Sequence, residues 1–164
     1  MKQAIIIGSL LLCGFSLQAQ DSTDDAVQVY IIDSVEVDPV AVNELGPDQI
    51  AMITIARGRK TVEKYGDRAT NGVFYIETKP FARKRYNRMF SSLSPAYAAA
   101  LQKYGNDSSF RYIMSDSVIT TNPVSQLAAL EKKEIADVQL LSAADGKKRY
   151  GLKEEEIGVV ITIH

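Results

Sequence analysis

The chain repeats itself. Asp33-Ser34-Val35 recurs as Asp116-Ser117-Val118, each time just after an apolar stretch, Tyr30-Ile31-Ile32 or Tyr112-Ile113-Met114. Ala51, Ile53 and Ile55 alternate with more polar positions, and Ala136, Val138 and Leu140 repeat that alternation. Tyr65-Gly66 returns as Tyr150-Gly151, and Gly72-Val73-Phe74-Tyr75-Ile76 as Gly158-Val159-Val160-Ile161-Thr162. The matched landmarks keep their order, and their spacing drifts only from 83 to 86 residues. That regularity marks a tandem duplication, and it predicts one topology built twice.

Each copy opens on an apolar stretch, 27–32 or 110–114, that predicts a strand. Asp-Ser then predicts a turn, because an aspartate can bond its own backbone. Val35 to Val37 is expected to return as a short hairpin partner. A polar segment follows, 39–49 or 122–134, with room for a short helix, and Gln126 to Lys133 carries good helix formers. The second strand, 50–56 or 135–141, has one apolar and one mixed face, which predicts a half-buried strand. A short helix then runs to the Tyr-Gly pair. Gly58 or Ser142 caps its start, and Gly66 or Gly151 supplies the left-handed residue that ends it. The last strand, 73–77 or 159–163, is apolar on both faces and is expected at the sheet centre. Strand, helix, strand in that order predicts parallel pairing of the second and last strands.

Residues 80–109 read as helical, with Phe81, Tyr86 and Phe90 near one face and Ser94-Pro95 opening a second helix that Gly105-Asn106-Asp107 ends. The aromatic spacing reads as core packing rather than a ligand cage. The expected fold class is therefore α+β: two tandem β-α-β units, 20–79 and 110–164, joined by the helical connector 80–109 into one body.

Ahead of the repeats, Lys2, the apolar run from Ala4 to Leu17, and Leu17-Gln18-Ala19 read as an export signal over 1–19. The run falls short of the about 20 apolar residues a membrane span needs. Cys13, the only cysteine, follows Leu10-Leu11-Leu12 inside that run, a context that speaks against lipid attachment. Cleavage after Ala19 would leave no thiol, and with it no disulfide, thiolate metal site or cysteine chemistry. Charge is segregated. Asp21, Asp24, Asp25, Asp33, Glu36, Asp38, Glu44 and Asp48 precede Ile50 with no Lys or Arg among them, and ten basic residues lie between Arg57 and Arg88. Two accounts fit: solvated faces that attract one another, or a basic patch for an anionic partner. For an exported chain that partner is lipid head groups or an acidic protein segment, not nucleic acid.

Residues 29 to 79 resemble the plug domain of TonB-dependent outer-membrane receptors, especially the polysaccharide-utilisation type. The pattern there runs as a strand ending in I-D-G, then N-P-x-D-I, then Y-G-x-R-G-A-N-G-V-I-x-I-T-T-K. The matching residues are Asp33, Pro47, Asp48, Ile50, Tyr65, Gly66, Arg68, Asn71, Gly72, Val73, Ile76, Thr78 and Lys79. Ser34 and Ala69 stand where the family carries glycines. The second copy keeps Asp116, Tyr150, Gly151 and Gly158 and resembles a diverged plug-like unit. In such receptors the plug fills a barrel of about 22 strands, each about 9–11 residues long, which is more than this chain holds. Residues 21 to 28 also offer no obvious hydrophobic energy-coupling box. The resemblance thus implies the plug fold without the transport function.

Chemistry is thin. His164 is the only histidine and the last residue, so histidine catalysis and histidine metal sites are not expected. Asp33 and Asp38 are close in sequence but read as turn residues, and Asp21, Asp24 and Asp25 as a solvated terminus rather than a calcium site. No phosphate loop, serine elbow or calcium-loop spacing appears. The expected function is a non-enzymatic envelope interaction module, periplasmic or secreted and at most peripherally attached to the outer membrane, with no cofactor or metal. Its expected partner is an envelope or outer-membrane protein. The candidate contact residues are Arg68, Arg83, Lys84, Arg85 and Arg88, while Asp33, Tyr65, Gly66, Asn71, Gly72, Asp116, Tyr150, Gly151 and Gly158 read as mainly structural. Arg68 has no clear basic counterpart in the second copy, and a salt bridge to the acidic first segment is its alternative role. A periplasmic small-ligand or glycan binder is the alternative function; an enzyme built on Asp or Glu with Ser or Lys ranks last.

Overall fold

The computed structural model describes residues 28–164. The expected export signal, Cys13 and the acids Asp21 to Asp25 lie outside the described residues. The first half runs β1 (Val29–Ile32), β2 (Val35–Val37), α1 (Pro39–Asn43), a 3-10 turn (Pro47–Gln49), β3 (Ile50–Ala56), α2 (Arg59–Tyr65), a second 3-10 turn (Asp67–Ala69) and β4 (Val73–Thr78). Two helices follow, α3 (Lys79–Leu93) and α4 (Pro95–Tyr104). The second half repeats the series with β5 (Phe110–Met114), β6 (Ser117–Val118), α5 (Pro123–Ala128), a 3-10 turn (Lys132–Glu134), β7 (Ile135–Leu140), α6 (Ala143–Tyr150) and β8 (Ile157–Ile163). Each half makes a four-stranded sheet, ordered β2-β1-β4-β3 and β6-β5-β8-β7. The fold is α+β, built from two units of one topology.

The direction of one pairing differs from expectation. β4 and β8 are central, but β3 runs antiparallel to β4 and β7 antiparallel to β8. The parallel partners are the first strands, β1 with β4 and β5 with β8. Length explains this. A seven-residue helix such as α2 advances about 10 Å at 1.5 Å per residue, whereas a seven-residue strand such as β3 covers about 23 Å. The helix is too short to carry the chain back to where β3 began, so the chain turns over the sheet end and returns antiparallel.

The copies also align one residue away from their letter match. The first hairpin turns on Asp33 and Ser34, at φ 50° and 74°, and the second on Ser115 and Asp116, at 52° and 58°. Ile32 pairs with Val35, and Met114 with Ser117. Asp33 is therefore equivalent to Ser115, not Asp116. Likewise Val29 pairs with Val73 and Arg111 with Gly158, so Gly158 occupies the place of Val73 rather than Gly72. Two residues at positive φ are what a tight hairpin demands, and short polar side chains meet that demand in either order. The two glycines do different work. Gly72 has φ 114°, and a Cβ there would meet the Ala56 carbonyl at 3.2 Å. Gly158 lies within a strand and lets Leu141 and Leu152 close over it, their Cδ1 atoms 2.9 and 3.1 Å from where a Cβ would be.

The connector is helical as expected, and its aromatic residues are core. Ala82, Tyr86 and Phe90 of α3 and Tyr97 of α4 pack on Tyr112, Val138, Val159 and Ile161 of the second sheet, with Val124, Leu127 and Ala128 of α5. Ala51 of the first half joins the same cluster. α5 is shorter and earlier than the helix formers from Gln126 to Lys133 suggest, because Pro123 starts it at the first helical position. A smaller core of Val29, Ile31, Ala69 and Val73, flanked by Tyr65 and Tyr75, lies on one face of the first sheet. The apolar positions of β3 are not half-buried throughout: Ile53 and Ile55 are 51% and 47% exposed.

Candidate functional site

α3 places the candidate site, and its start is fixed from far away in sequence. Thr78 caps the helix, its hydroxyl accepting from the Phe81 amide at 3.4 Å. Asp33 holds Thr78 in turn, accepting from its amide at 2.8 Å and from its hydroxyl at 2.7 Å. The Asp33 carboxylate thus reaches 45 residues along the chain rather than bonding its own turn. Asp38 caps α1 through the Ala41 amide at 3.0 Å. The two neighbouring carboxylates serve separate caps and form no catalytic pair.

With Ala82, Tyr86 and Phe90 turned into the core, the next stripe of α3 faces outward. Lys79, Arg83, Lys84, Asn87, Arg88 and Ser91 line a cleft of about 730 Å³, closed on the far side by Leu101 and Asn106 among others. The volume lies within the range of small-molecule and peptide pockets. Lys79, Lys84 and Arg88 make no ion pair among the described residues. Uncompensated cations converging on one concavity favour an anion there.

The cleft floor holds the least expected residue. The Asp107 side chain is 2% exposed and sits 3.5 Å from Arg83 Nε. Its Oδ2 accepts from the Tyr86 hydroxyl at 2.7 Å and from the Tyr112 hydroxyl at 3.0 Å. Its Oδ1 has no hydrogen-bond partner and is the atom that faces Arg83 Nε at 3.5 Å. Tyr112 lies 2.8 Å from the Tyr97 hydroxyl, which lies 2.5 Å from the Asn87 side-chain amide. Tyr112 gives its proton to Asp107, and Tyr97 gives its own to the Asn87 side-chain oxygen. Two tyrosine hydroxyls thus stand between cleft-lining Asn87 and the buried carboxylate. Burial, with Asp107 adding to it, pushes the Tyr86 hydroxyl far above the ordinary tyrosine range. Burial does the same to Tyr97 and Tyr112. For Arg83 burial acts downward, but the adjacent Asp107 charge and Tyr86 outweigh it and raise the guanidinium. Arg83, Asp107 and Val124 also line a second cleft of about 350 Å³, so the Arg83–Asp107 pair stands between the two.

The candidate contact residues separate accordingly. Arg83, Lys84 and Arg88 share the cleft. Arg85 turns away and ties the halves together, donating to Glu77 at 3.1 and 2.8 Å and to the Ala128 carbonyl at 2.5 Å. Arg68 lies in the first half, paired with Glu36 at 2.6 Å, the one ion pair among the described residues that joins the acidic segment to the basic one. Lys79, a member of the basic run but not one of the candidate contact residues, lines the cleft as well.

The Tyr-Gly pairs have diverged. Tyr65 meets the Tyr75 hydroxyl at 3.1 Å, with Lys64 4.8 Å above its ring, and Lys64 chiefly draws the Tyr65 hydroxyl down from its ordinary range. Tyr150 instead donates to Asp116 at 3.1 Å. Gly66 ends α2 at φ 73°, ψ −168°, and Gly151 ends α6 at φ 66°, ψ 24°. Asn71 is exposed in the turn before Gly72. Asp107 gave no signal beyond its place in a helix stop, because its partners lie on a helix and a strand that only the fold brings together. Among the described residues, no group of His, Cys, Asp and Glu could hold a metal ion, and no helix is long and apolar enough to cross a membrane. Compared with protein-family models, curated proteins and solved structures, the chain shows no match.

Proposed function

We propose that this chain is a non-enzymatic binding module of the bacterial cell envelope, plug-like in architecture, whose α3 cleft receives an acidic segment of an envelope protein. One observation carries the reading: Lys79, Lys84 and Arg88 face one cleft without carboxylate partners, whereas Arg68, Arg85 and Arg111 are each engaged in pairs within the fold. The export signal and the plug-like motif support the envelope setting. Titration with a synthetic glutamate-rich peptide tests the site. Binding is expected to weaken steeply as salt is raised and to fall at least tenfold in Lys84→Glu/Arg88→Glu. Equal binding by the double variant, or none by the parent, would refute it.

A second reading, a small acidic ligand such as a sugar acid, draws on the cleft volume of about 730 Å³, which suits a small molecule, with the same cations meeting its acid group. It predicts that sugar acids raise the melting temperature and that neutral sugars do not.

A further inference from the structure

The apolar face of the first sheet is left open where its repeat is closed. Paired residues on neighbouring strands share a face, and the register assigns Val35 and Val37 of β2, Tyr30 and Ile32 of β1, Phe74 and Ile76 of β4, and Ile53 and Ile55 of β3 to one side. All eight are apolar or aromatic. The equivalent face of the second sheet, with Tyr112, Val138, Val159 and Ile161, is buried beneath α3, α4 and α5. Of these eight only Ile76, 3% exposed, is buried, and Tyr30, Ile32, Val37 and Phe74 are half-buried. Val35, Ile53 and Ile55 are 63%, 51% and 47% exposed. The face is contiguous and wholly apolar, and the large side chains on both its outer strands are exposed, as on an interaction surface.

We propose that this face docks an amphipathic helix of a partner protein, one that presents an aromatic and aliphatic stripe like that of α3. Three features select this occupant. The repeat itself shows what covers such a face: Tyr86 and Phe90 of α3, spaced four residues apart, lie on its counterpart. At the Ala51 end of β3 the open face adjoins the core that α3 already covers, so a second helix extends an existing packing layer. The footprint suits a single helix: four strands about 4.8 Å apart make a face about 19 Å across. A helix about 10 Å wide matches that footprint. Residues 20 to 27 are too polar and acidic to supply the stripe.

A labelled synthetic peptide of residues 79–104, carrying α3 and α4, serves as the probe, with the same peptide bearing Tyr86→Ser and Phe90→Ser as control. The parent chain is expected to bind the first peptide at least tenfold more tightly than the control. Ile53→Asp/Ile55→Asp should abolish the difference, while Thr54→Asp, on the opposite face of the same strand, should leave it. Should the double variant misfold by circular dichroism, Val35→Asp on the adjoining edge strand is expected to weaken binding in its place. Equal binding of both peptides overturns the proposal. So does a concentration-dependent dimer in sedimentation that Ile53→Asp/Ile55→Asp dissolves, or peptide binding that appears only after residues 1–27 are removed.

Discussion

At the scale of single residues, Asp107 holds the one buried side-chain polar atom without a hydrogen bond among the described residues. A buried carboxylate is tolerated when donors surround it, and here two tyrosine hydroxyls serve Oδ2 while Oδ1 has the charge of Arg83 at 3.5 Å and no hydrogen bond. Asp107→Asn removes a charged acceptor from both hydroxyls and should lower stability by about 2–3 kcal/mol, read from denaturant midpoints. Tyr112→Phe, which leaves one donor in place, should cost about 1 kcal/mol. The buried hydroxyls also set an alkaline limit. Tyr86, Tyr97 and Tyr112 ionise less readily folded than unfolded. Their contribution to stability is therefore complete below the ordinary tyrosine value of about 10 and is lost as pH rises beyond it. Tyrosinate absorbance should show these three of the eight tyrosines ionising only together with loss of the folded circular dichroism signal. Early, reversible titration of all eight would contradict their burial.

At the scale of elements, two joints set the architecture. Gly66 lets α2 stop and the chain turn toward β4, in a backbone region open almost only to glycine. A Cβ there would meet no atom within 4 Å, so Gly66→Ala should cost about 1–3 kcal/mol purely as backbone strain. Gly151, in ordinary left-handed geometry, should tolerate asparagine, the next residue helix ends accept there, with a smaller loss. Arg85 is the second joint: it spans Glu77 on the first sheet and the Ala128 carbonyl at the end of α5. A double-mutant cycle of Arg85→Ala and Glu77→Gln should give a coupling of about 1 kcal/mol, reduced by solvent because the arginine is 35% exposed. No coupling would mean that the helix packing alone joins the halves.

At the scale of the whole molecule, the duplication yields two sheets of one topology and different surroundings. The connector helices fold onto the second sheet, and Ala51 brings the first into the same core. That shared core predicts one cooperative unfolding transition for residues 28–164, with far-ultraviolet circular dichroism and calorimetry coinciding. Two resolved transitions would show the halves to be independent.

Much of this was legible from sequence because it depends on neighbours along the chain. The duplicated turns, the Ser94-Pro95 helix start, the helix-ending glycines and the central position of β4 and β8 follow from local backbone preference and from alternation of apolar residues. A pairing of Arg68 with the acidic segment is one of two roles the sequence leaves open, since the acidic and basic segments stand apart in it, but that Glu36 is the partner follows only from the fold. Other features depend on which surfaces meet in space. The antiparallel return of β3 to β4 was decided by helix length against strand length, and the one-residue offset between copies by hydrogen-bonding register. The seating of Asp107 beneath Tyr86 and Tyr112, and the separation of Arg85 from Arg83, Lys84 and Arg88, were decided by the docking of α3. Backbone preference is a property of a few adjacent residues, whereas the burial of a charge or the exposure of an apolar face is fixed only when distant segments compete for the same contact.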